Sequence, residues 1–195
     1  MKYSGSFRVW HWLNALVIFG LLGTVFLRKT FLSYRVNSEI LMAKLSEMGN
    51  DINIEDAKIL AKAIRNPMWE WHIYLGYALV GLMLFRIYLF FKEGSKKELF
   101  KDLTTHQKMV KVLHTMFYVS LFFISVSGLA IYFGKEVFDK ELLSMIKESH
   151  EALFVFIMVF VLLHIGGVVV AEIKEKQNLI STMIHGKRIV ENDNH

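Results

Sequence analysis

Two histidines, His150 and His164, stand fourteen residues apart in a stretch that is otherwise strongly apolar. In an α-helix this separation is a rise of roughly 21 Å, and fourteen steps of about 100° return to within about 40° of the starting direction. Both imidazoles therefore leave the same helix face, one near each end of a segment long enough to cross a membrane. Ionisable side chains inside a membrane are costly and usually functional, so the pair predicts a chemical role.

Two earlier apolar stretches carry one histidine each, His11 and His72. If successive spans cross the membrane in alternate directions, His11 lies at the level of His164, and His72 lies at the level of His150. The four residues then form two level pairs, one near each membrane surface. A haem iron takes two axial ligands, and imidazole is a common one. The pattern predicts two haems, each held by one pair of histidines.

Other metal sites fit the sequence less well. A di-iron centre in a helical bundle needs carboxylates with Glu-x-x-His spacing, and the sequence has no such motif. A zinc site gathers its ligands at one level, whereas these histidines come two by two. A hydrogen-bonded core or interfacial role stays open for any one of the histidines taken alone.

The composition is typical of a membrane protein that binds its cofactors non-covalently. The 195 residues are 54% hydrophobic and include one proline, which is rare for a soluble domain of this length. Cysteine is absent, which excludes disulfides, iron–sulfur clusters and the covalent attachment of c-type haem, so any haem here is b-type. The net charge of +5 is spread over every connecting segment with acids among the bases, which indicates a solvated surface and no nucleic-acid partner.

Four long apolar segments position the histidines. They cover residues 9–27, 68–91, 112–133 and 150–171, and each has about the twenty residues needed to cross a roughly 30 Å hydrocarbon core. We expect an all-α integral membrane four-helix bundle that forms one domain over residues 1–195. The first segment lacks a small-residue cleavage site, so we interpret it as a retained span rather than a signal peptide.

The connection between the first two spans, residues 28–66, is the longest and is expected to lie outside the membrane. Ser38 is predicted to cap a short amphipathic helix that ends before Gly49, and Asn53 is predicted to cap a second one. Both helices would lie at the membrane surface. They form either a lid over the end of the bundle or a docking surface for a partner.

Capping residues also mark where the spans begin. Ser4 or Ser6 is predicted to cap the first helix, and Asp139 the fourth, well before the membrane. Asn66 followed by Pro67 predicts the start of the second helix, because proline is favoured in the first turn.

Arg86 stands fourteen residues after His72, on nearly the same helix face and at the level of the His11 and His164 pair. A buried guanidinium needs an anion, and either a haem propionate or a lipid phosphate would serve. Small residues beside the histidines indicate a slot for the flat macrocycle or plain helix packing; they are Gly20, Gly23, Gly76, Gly166 and Gly167. The histidines outside the spans are expected at the surface; they are His106, His185 and His195.

At these residues the chain resembles the four-helix bacterial di-haem cytochromes b, the superfamily that contains cytochrome b561 and the membrane subunits of nickel–iron hydrogenases and formate dehydrogenases. The matching pieces follow the four spans in order: RVWHW around His11, His72 with Gly76 and Arg86, His114 with Tyr118 and Gly128, and HEAL from His150. The long first connection and the tail STMIHGKR, from Ser181, resemble the hydrogenase-type branch. Family members often carry a proline in the third span where this chain has Ser125.

The resemblance implies a cytoplasmic-side haem held by His11 and His164 and a periplasmic-side haem held by His72 and His150. It also implies a multi-pass protein of the bacterial inner membrane with both termini in the cytoplasm. The basic residues agree weakly, since twelve Lys and Arg fall on the predicted cytoplasmic side and ten on the other. Quinone is expected near the cytoplasmic-side haem, where His114 and Tyr118 are the polar groups best placed to line its site.

The predicted function is therefore electron transfer from a periplasmic redox partner, the iron–sulfur subunit of a nickel–iron hydrogenase, through two haems to membrane quinone. No catalytic residue is assigned, because such a subunit belongs to a larger oxidoreductase complex. Two alternatives stay open: a stand-alone haem enzyme that oxidises superoxide or another small donor, and a transport or structural membrane protein without a cofactor. Homo-oligomers are compatible with the sequence.

Overall fold

The structure, a computed structural model, describes residues 3–93, 103–175 and 179–186. Its elements are α1 (Gly5–Lys29), α2 (Tyr34–Glu47), α3 (Ile54–Glu93), α4 (Thr105–Phe133), a short 3₁₀ turn (Gly134–Glu136), α5 (Lys140–Glu175) and α6 (Leu179–His185). These ranges contain no strand, and the all-α prediction is confirmed.

Among the described residues, four helical segments are long and apolar enough to cross a membrane: Gly5–Lys29, Ile54–Lys92, Thr105–Glu136 and Lys140–Lys174. Large apolar side chains on them are exposed, including Leu16 at 68% and Leu162 at 65%. Exposure of this kind suits helices that are surrounded by lipid. The chain is thus an all-α integral membrane protein, as predicted.

Three of the predicted helix caps are confirmed. Ser4, Asn53 and Asp139 each accept a hydrogen bond from the backbone N–H three residues on, at 3.1, 2.9 and 2.8 Å. These bonds satisfy donors that the first turn of a helix leaves without a partner.

The predicted cap at Ser38 is wrong. Helix α2 begins at Tyr34, and Ser38 lies inside it with 1% of its surface exposed. Its hydroxyl donates to the carbonyl of Arg35 at 2.8 Å. Serine bonds to the backbone of its own helix as readily as it caps one, so the sequence could not separate the two roles. The helix does end before Gly49, which takes a φ of +79°, as predicted.

The predicted start of the second span at Asn66 and Pro67 is also wrong. Helix α3 is one 40-residue element with Pro67 in its interior, so the second connecting helix and the second span are continuous. An interior proline costs about 3 kcal/mol, because it removes a hydrogen bond and clashes with the preceding turn. Buried residues on both sides of the proline, Ala61 at 0% and Met68 at 7% exposed, show a packed face that continues through it and offsets this cost.

The chain divides into two compact units, one of residues 15–79 and one of residues 1–14 and 80–195. In the smaller unit, α1 and α3 run antiparallel, and three pairs of residues meet along them: Gly20 with Leu75, Thr24 with His72, and Arg28 with Trp69. A Cβ atom at Gly20 would lie 2.9 Å from Leu75 Cδ1. Gly20 therefore serves helix packing, and this packing positions His72.

In the larger unit, α4 and α5 also run antiparallel. Three pairs of residues meet along their contact: His114 with His164, Phe117 with Phe160, and Ser127 with His150. The two histidines of α5 therefore face α4 at points about four turns apart. Helix α6 is held at its start by Glu172, whose carboxylate accepts from the backbone N–H of Leu179 at 2.7 Å.

Candidate functional site

The larger unit brings three histidines together. The rings of His11, from α1, and His164, from α5, lie 6.2 Å apart between centroids, with 60° between their planes. The ring of His114, from α4, lies 5.6 Å from that of His164. The level pair His11 and His164 thus meets in space, with a third imidazole beside it.

Two stacked phenylalanines pack beside the ring of His164. Phe160 lies one turn before it on α5, with its ring parallel to the imidazole at 5.8 Å and 8°. Phe117 of α4 stacks on Phe160 at 4.0 Å and 12°, and both phenylalanines are more than nine-tenths buried. This stack fixes the plane of the His164 ring and keeps water from one side of it.

Arg86 lies in a cage of aromatic rings in the same unit. Its guanidinium carbon is 5.1 Å from the ring centre of Phe7, 5.5 Å from Trp10 and 5.6 Å from Tyr118. Aromatic faces stabilise a cation, but Arg86 Nε is a buried donor with no hydrogen-bond partner in the part of the chain that the structure describes. A buried donor of this kind indicates that a hydrogen-bond acceptor binds beside it, and an anion is the most favourable acceptor for a guanidinium.

Trp10 anchors this cage. Its indole Nε1 donates to the carbonyl of Leu82 at 2.7 Å, and only 2% of the side chain is exposed. His11 follows Trp10 directly, so the same anchor fixes the backbone that carries a predicted ligand.

The residues predicted to line a quinone site connect these two clusters. His114 donates from Nδ1 to the carbonyl of Val110 at 2.8 Å, since a carbonyl can only accept. Tyr118, one turn further on α4, lies 6.1 Å from the Trp10 ring. The two side chains therefore join the histidine cluster to the Arg86 cage.

In the smaller unit, a threonine holds His72. The hydroxyl of Thr24 donates to the carbonyl of Leu21 at 2.7 Å and lies 2.7 Å from Nδ1 of His72. Sequence reasoning missed Thr24. The available signal was a hydroxyl residue among the apolar residues of the first span.

In the larger unit, a serine holds His150 in the same manner. The hydroxyl of Ser127 donates to the carbonyl of Ile124 at 3.1 Å and lies 2.9 Å from Nδ1 of His150. The neighbouring Gly128 allows the close approach, because a Cβ atom there would lie 3.3 Å from Cε1 of His150. Ser127 was likewise missed by sequence reasoning.

A family model described as prokaryotic cytochrome b561 matches residues 2–186, almost the whole chain. The chain belongs to the prokaryotic cytochrome b561 family. The resemblance predicted from the sequence is confirmed at the level of this family. Comparisons with curated proteins and with solved structures gave no match. As a prokaryotic cytochrome b561, the protein binds b-type haem, transfers electrons across a bacterial membrane, and interacts with lipid and a redox partner.

The residues of this cytochrome fit a b-type haem. His11 and His164 would hold the haem, since imidazole nitrogen is a common ligand of haem iron, and their rings lie 6.2 Å apart between centroids. Arg86 adds a buried cation with a donor to spare, which suits a haem propionate.

The other predicted residues of the cytochrome are placed as follows. His72 belongs to the smaller unit and His150 to the larger one, and their pairing stays a prediction. Four of the predicted slot glycines face open space: apart from neighbouring residues of the same helix, no described atom lies within 4 Å of a Cβ added at Gly23, Gly76, Gly166 or Gly167. His106 and His185 are exposed, as predicted, and His195 lies outside the described residues.

Proposed function

We propose that this cytochrome holds two b-type haems and carries electrons across the bacterial inner membrane. The donor is a periplasmic redox partner, the iron–sulfur subunit of a nickel–iron hydrogenase, and the acceptor is membrane quinone. The observation that carries the proposal is the approach of His11 and His164 to 6.2 Å. These residues come from opposite ends of the chain, and the fold brings their imidazole rings close together.

In this proposal His11 and His164 ligate the cytoplasmic-side haem, and His72 and His150 ligate the periplasmic-side haem. The antiparallel contact of α4 and α5 supports two separate levels, because His164 lies beside His114 and His150 lies beside Ser127. The assignment of His72 to His150 follows from the order of the spans along the chain.

When bound, the haems supply one-electron transfer, and two electrons with two protons convert a quinone to a quinol. The protein positions the reactants and controls charge. Phe117 and Phe160 hold the His164 ring and keep water from it. Arg86 would neutralise a propionate of the cytoplasmic-side haem.

His114 and Tyr118 are proposed to contact the quinone. His114 uses Nδ1–H for the Val110 carbonyl, so it would donate from Nε2 to a quinone oxygen, and pass on that proton, when both ring nitrogens carry a hydrogen. Tyr118 would supply a hydroxyl to the other polar end of the same site. Both residues lie on α4, one turn apart, which directs them to the same side of the helix.

The hydrogenase partner is supported by the first connection. Exposed apolar residues flank helix α2, with Phe31 before it and Met48 after it, each 73% exposed. A surface of this kind suits a protein subunit that docks on the membrane part. We therefore favour a docking surface over a lid for this segment.

Purification from native membranes in mild detergent tests the proposal. The expected preparation contains the chain with about two haems, together with an iron–sulfur subunit and a hydrogenase catalytic subunit. Hydrogen should then reduce the haems, and added quinone should reoxidise them.

Two other results would overturn it. A single chain without partner subunits, whose haems are reduced rapidly by superoxide, would establish a stand-alone enzyme. One haem per chain, with a single step in a reductive titration, would remove the two-haem pathway.

A further inference from the structure

Two hydroxyl groups, one in each compact unit, make the same pair of contacts. Thr24 donates to a carbonyl three residues earlier in α1 and meets Nδ1 of His72 at 2.7 Å. Ser127 donates to a carbonyl three residues earlier in α4 and meets Nδ1 of His150 at 2.9 Å. The two histidines are the ones proposed to share the periplasmic-side haem.

The direction of these bonds follows from hydrogen counting. A hydroxyl has one hydrogen, and both Thr24 and Ser127 give theirs to a backbone carbonyl of their own helix. Toward the imidazole each oxygen can therefore only accept. With the hydroxyl hydrogen on that carbonyl, Nδ1 of His72 and of His150 carries the ring hydrogen, and in a neutral ring the lone pair then lies on Nε2.

We propose that Thr24 and Ser127 are positioning residues that hold His72 and His150 in the tautomer that binds iron through Nε2, and that they lower the reduction potential of the haem. This inference rests on the proposed haem ligation. A hydrogen bond to the second ring nitrogen fixes the orientation of a metal-bound histidine and makes it a more basic ligand. A more basic ligand favours ferric over ferrous iron, so the haem is harder to reduce.

The packing around both rings supports a fixed orientation. Trp69 meets the ring of His72 edge-on at 5.6 Å and 81°, one turn before it on α3. Gly128 lets His150 lie against α4, and a side chain at that position would push the ring away from Ser127. Each imidazole is therefore held by a hydrogen bond to a hydroxyl and by close packing, His72 against Trp69 and His150 against Gly128.

The experiment is a spectroelectrochemical titration of the purified holo-cytochrome carrying Thr24→Val, Ser127→Ala or both. Valine keeps the shape of threonine and removes the hydroxyl. Loss of an outer-shell partner typically costs 10- to 100-fold in metal affinity or activity, and we take the lower end of that range for the reduction equilibrium. We expect each single change to raise the reduction equilibrium constant of one haem about tenfold, which is about 59 mV for a one-electron couple. The double variant should shift the same haem further and leave the other haem unchanged.

Matched variants separate this role from a structural one. Thr24→Ser and Ser127→Thr keep a hydroxyl and should return the potential to the wild-type value. Ser125→Ala removes a hydroxyl of α4 that bonds the Leu121 carbonyl at 2.7 Å, and Thr30→Val removes one that bonds the Phe26 carbonyl at 2.8 Å. Neither control should move a haem potential.

Four outcomes decide between failure of this inference and failure of the proposed function. Full haem content with unchanged potentials in Thr24→Val and Ser127→Ala overturns the inference, as does an equal shift of both haems. If Thr24→Val loses haem, the potential of the haem in Thr24→Ser decides. A wild-type potential in Thr24→Ser supports the positioning role of the hydroxyl, and a shifted potential overturns it. If the two variants shift different haems, the role of the hydroxyls stands and the pairing of His72 with His150 falls.

Discussion

The ring of Phe160 lies parallel to that of His164, 5.8 Å away between centroids and within 8° between planes. The residues are one helical turn apart on α5, so their side chains naturally share a face. Phe117 stacks on Phe160 at 4.0 Å between centroids and so restricts the rotation of that ring. The orientation of His164 is thus set by the packing of the protein itself.

The first prediction concerns the ligands of the cytoplasmic-side haem. His11→Ala and His164→Ala should each remove the same haem and leave about half of the wild-type haem content, because one imidazole cannot replace the second axial ligand. Absorption spectra and haem quantification of the purified variants measure this. His106→Ala is the control, since His106 is exposed outside the cluster, and it should keep both haems.

His114 provides the second prediction. If it lines a quinone site, His114→Ala should keep both haems and their potentials, while the KM for quinone rises or quinone reduction slows about tenfold or more, as expected for the loss of a positioned hydrogen-bonding group. Stopped-flow reoxidation of the reduced cytochrome by quinone measures the rate. Loss of a haem in His114→Ala, with both haems kept in His11→Ala, would show that His114 and not His11 is the ligand.

Arg86 provides the third prediction. A cation beside a haem favours the reduced form, so Arg86→Ala should lower the potential of the haem held by His11 and His164. The expected change is on the order of tenfold in the reduction equilibrium, about 59 mV. The potential of this haem in Arg86→Lys should lie between the values in the wild type and in Arg86→Ala, because lysine keeps the charge and loses the planar donor set.

Arg65→Ala is a matched control, since Arg65 Nε is also buried without a partner among the described residues but lies in the other unit. An unchanged potential in Arg86→Ala would favour a lipid phosphate as the anion.

The absence of cysteine makes the fourth prediction easy to test. In the proposed topology, a cysteine at Asn50 reacts with a membrane-impermeant thiol reagent added to the periplasmic side. A cysteine at His106 should react only after the cytoplasmic side is opened. Asn50 and His106 are both exposed, so accessibility of the side chain does not bias the comparison. The reverse pattern of labelling would show that the cytochrome has the opposite orientation in the membrane. Each haem would then lie on the other side from the one proposed.

Local signals in the sequence predicted much of this fold. Ser4, Asn53 and Asp139 were identified as caps because a cap depends only on the next three residues. Pro67 was misinterpreted because proline is favoured in the first turn of a helix and is rare inside one. Whether packing offsets its cost depends on residues such as Ala61, whose burial comes from tertiary structure.

The candidate site was predicted only in part, because some of its contacts depend on tertiary structure and have no local signal in the sequence. Histidines stand out in apolar spans, and their levels follow from counting. The roles of Thr24 and Ser127 depend on which ring lies opposite, and that is decided by the register of one helix against another. The contact of α6 with α1, in which Arg8 donates to the carbonyl of Ile184 at 2.8 Å, joins residues from the two ends of the chain and has no local signal.

The last prediction concerns the start of α4. Thr104 and Gln107 form a reciprocal pair: the threonine hydroxyl accepts from the Gln107 backbone N–H at 3.3 Å, and the Gln107 side chain accepts from the Thr104 N–H at 2.9 Å. Thr104→Ala removes one acceptor and should cost about 1 kcal/mol of stability. For a chain of this size that is a fall of roughly 2–4 °C in Tm, measured by circular dichroism in detergent.

The control is Thr105→Ala, next to the cap, which should change Tm little because alanine favours the helix that begins there. Haem spectra should be unchanged in both variants, since the cap lies almost three turns before His114, the first residue of α4 in the histidine cluster. An equal Tm for Thr104→Ala and the wild type would show that packing along α4 alone fixes where the helix begins.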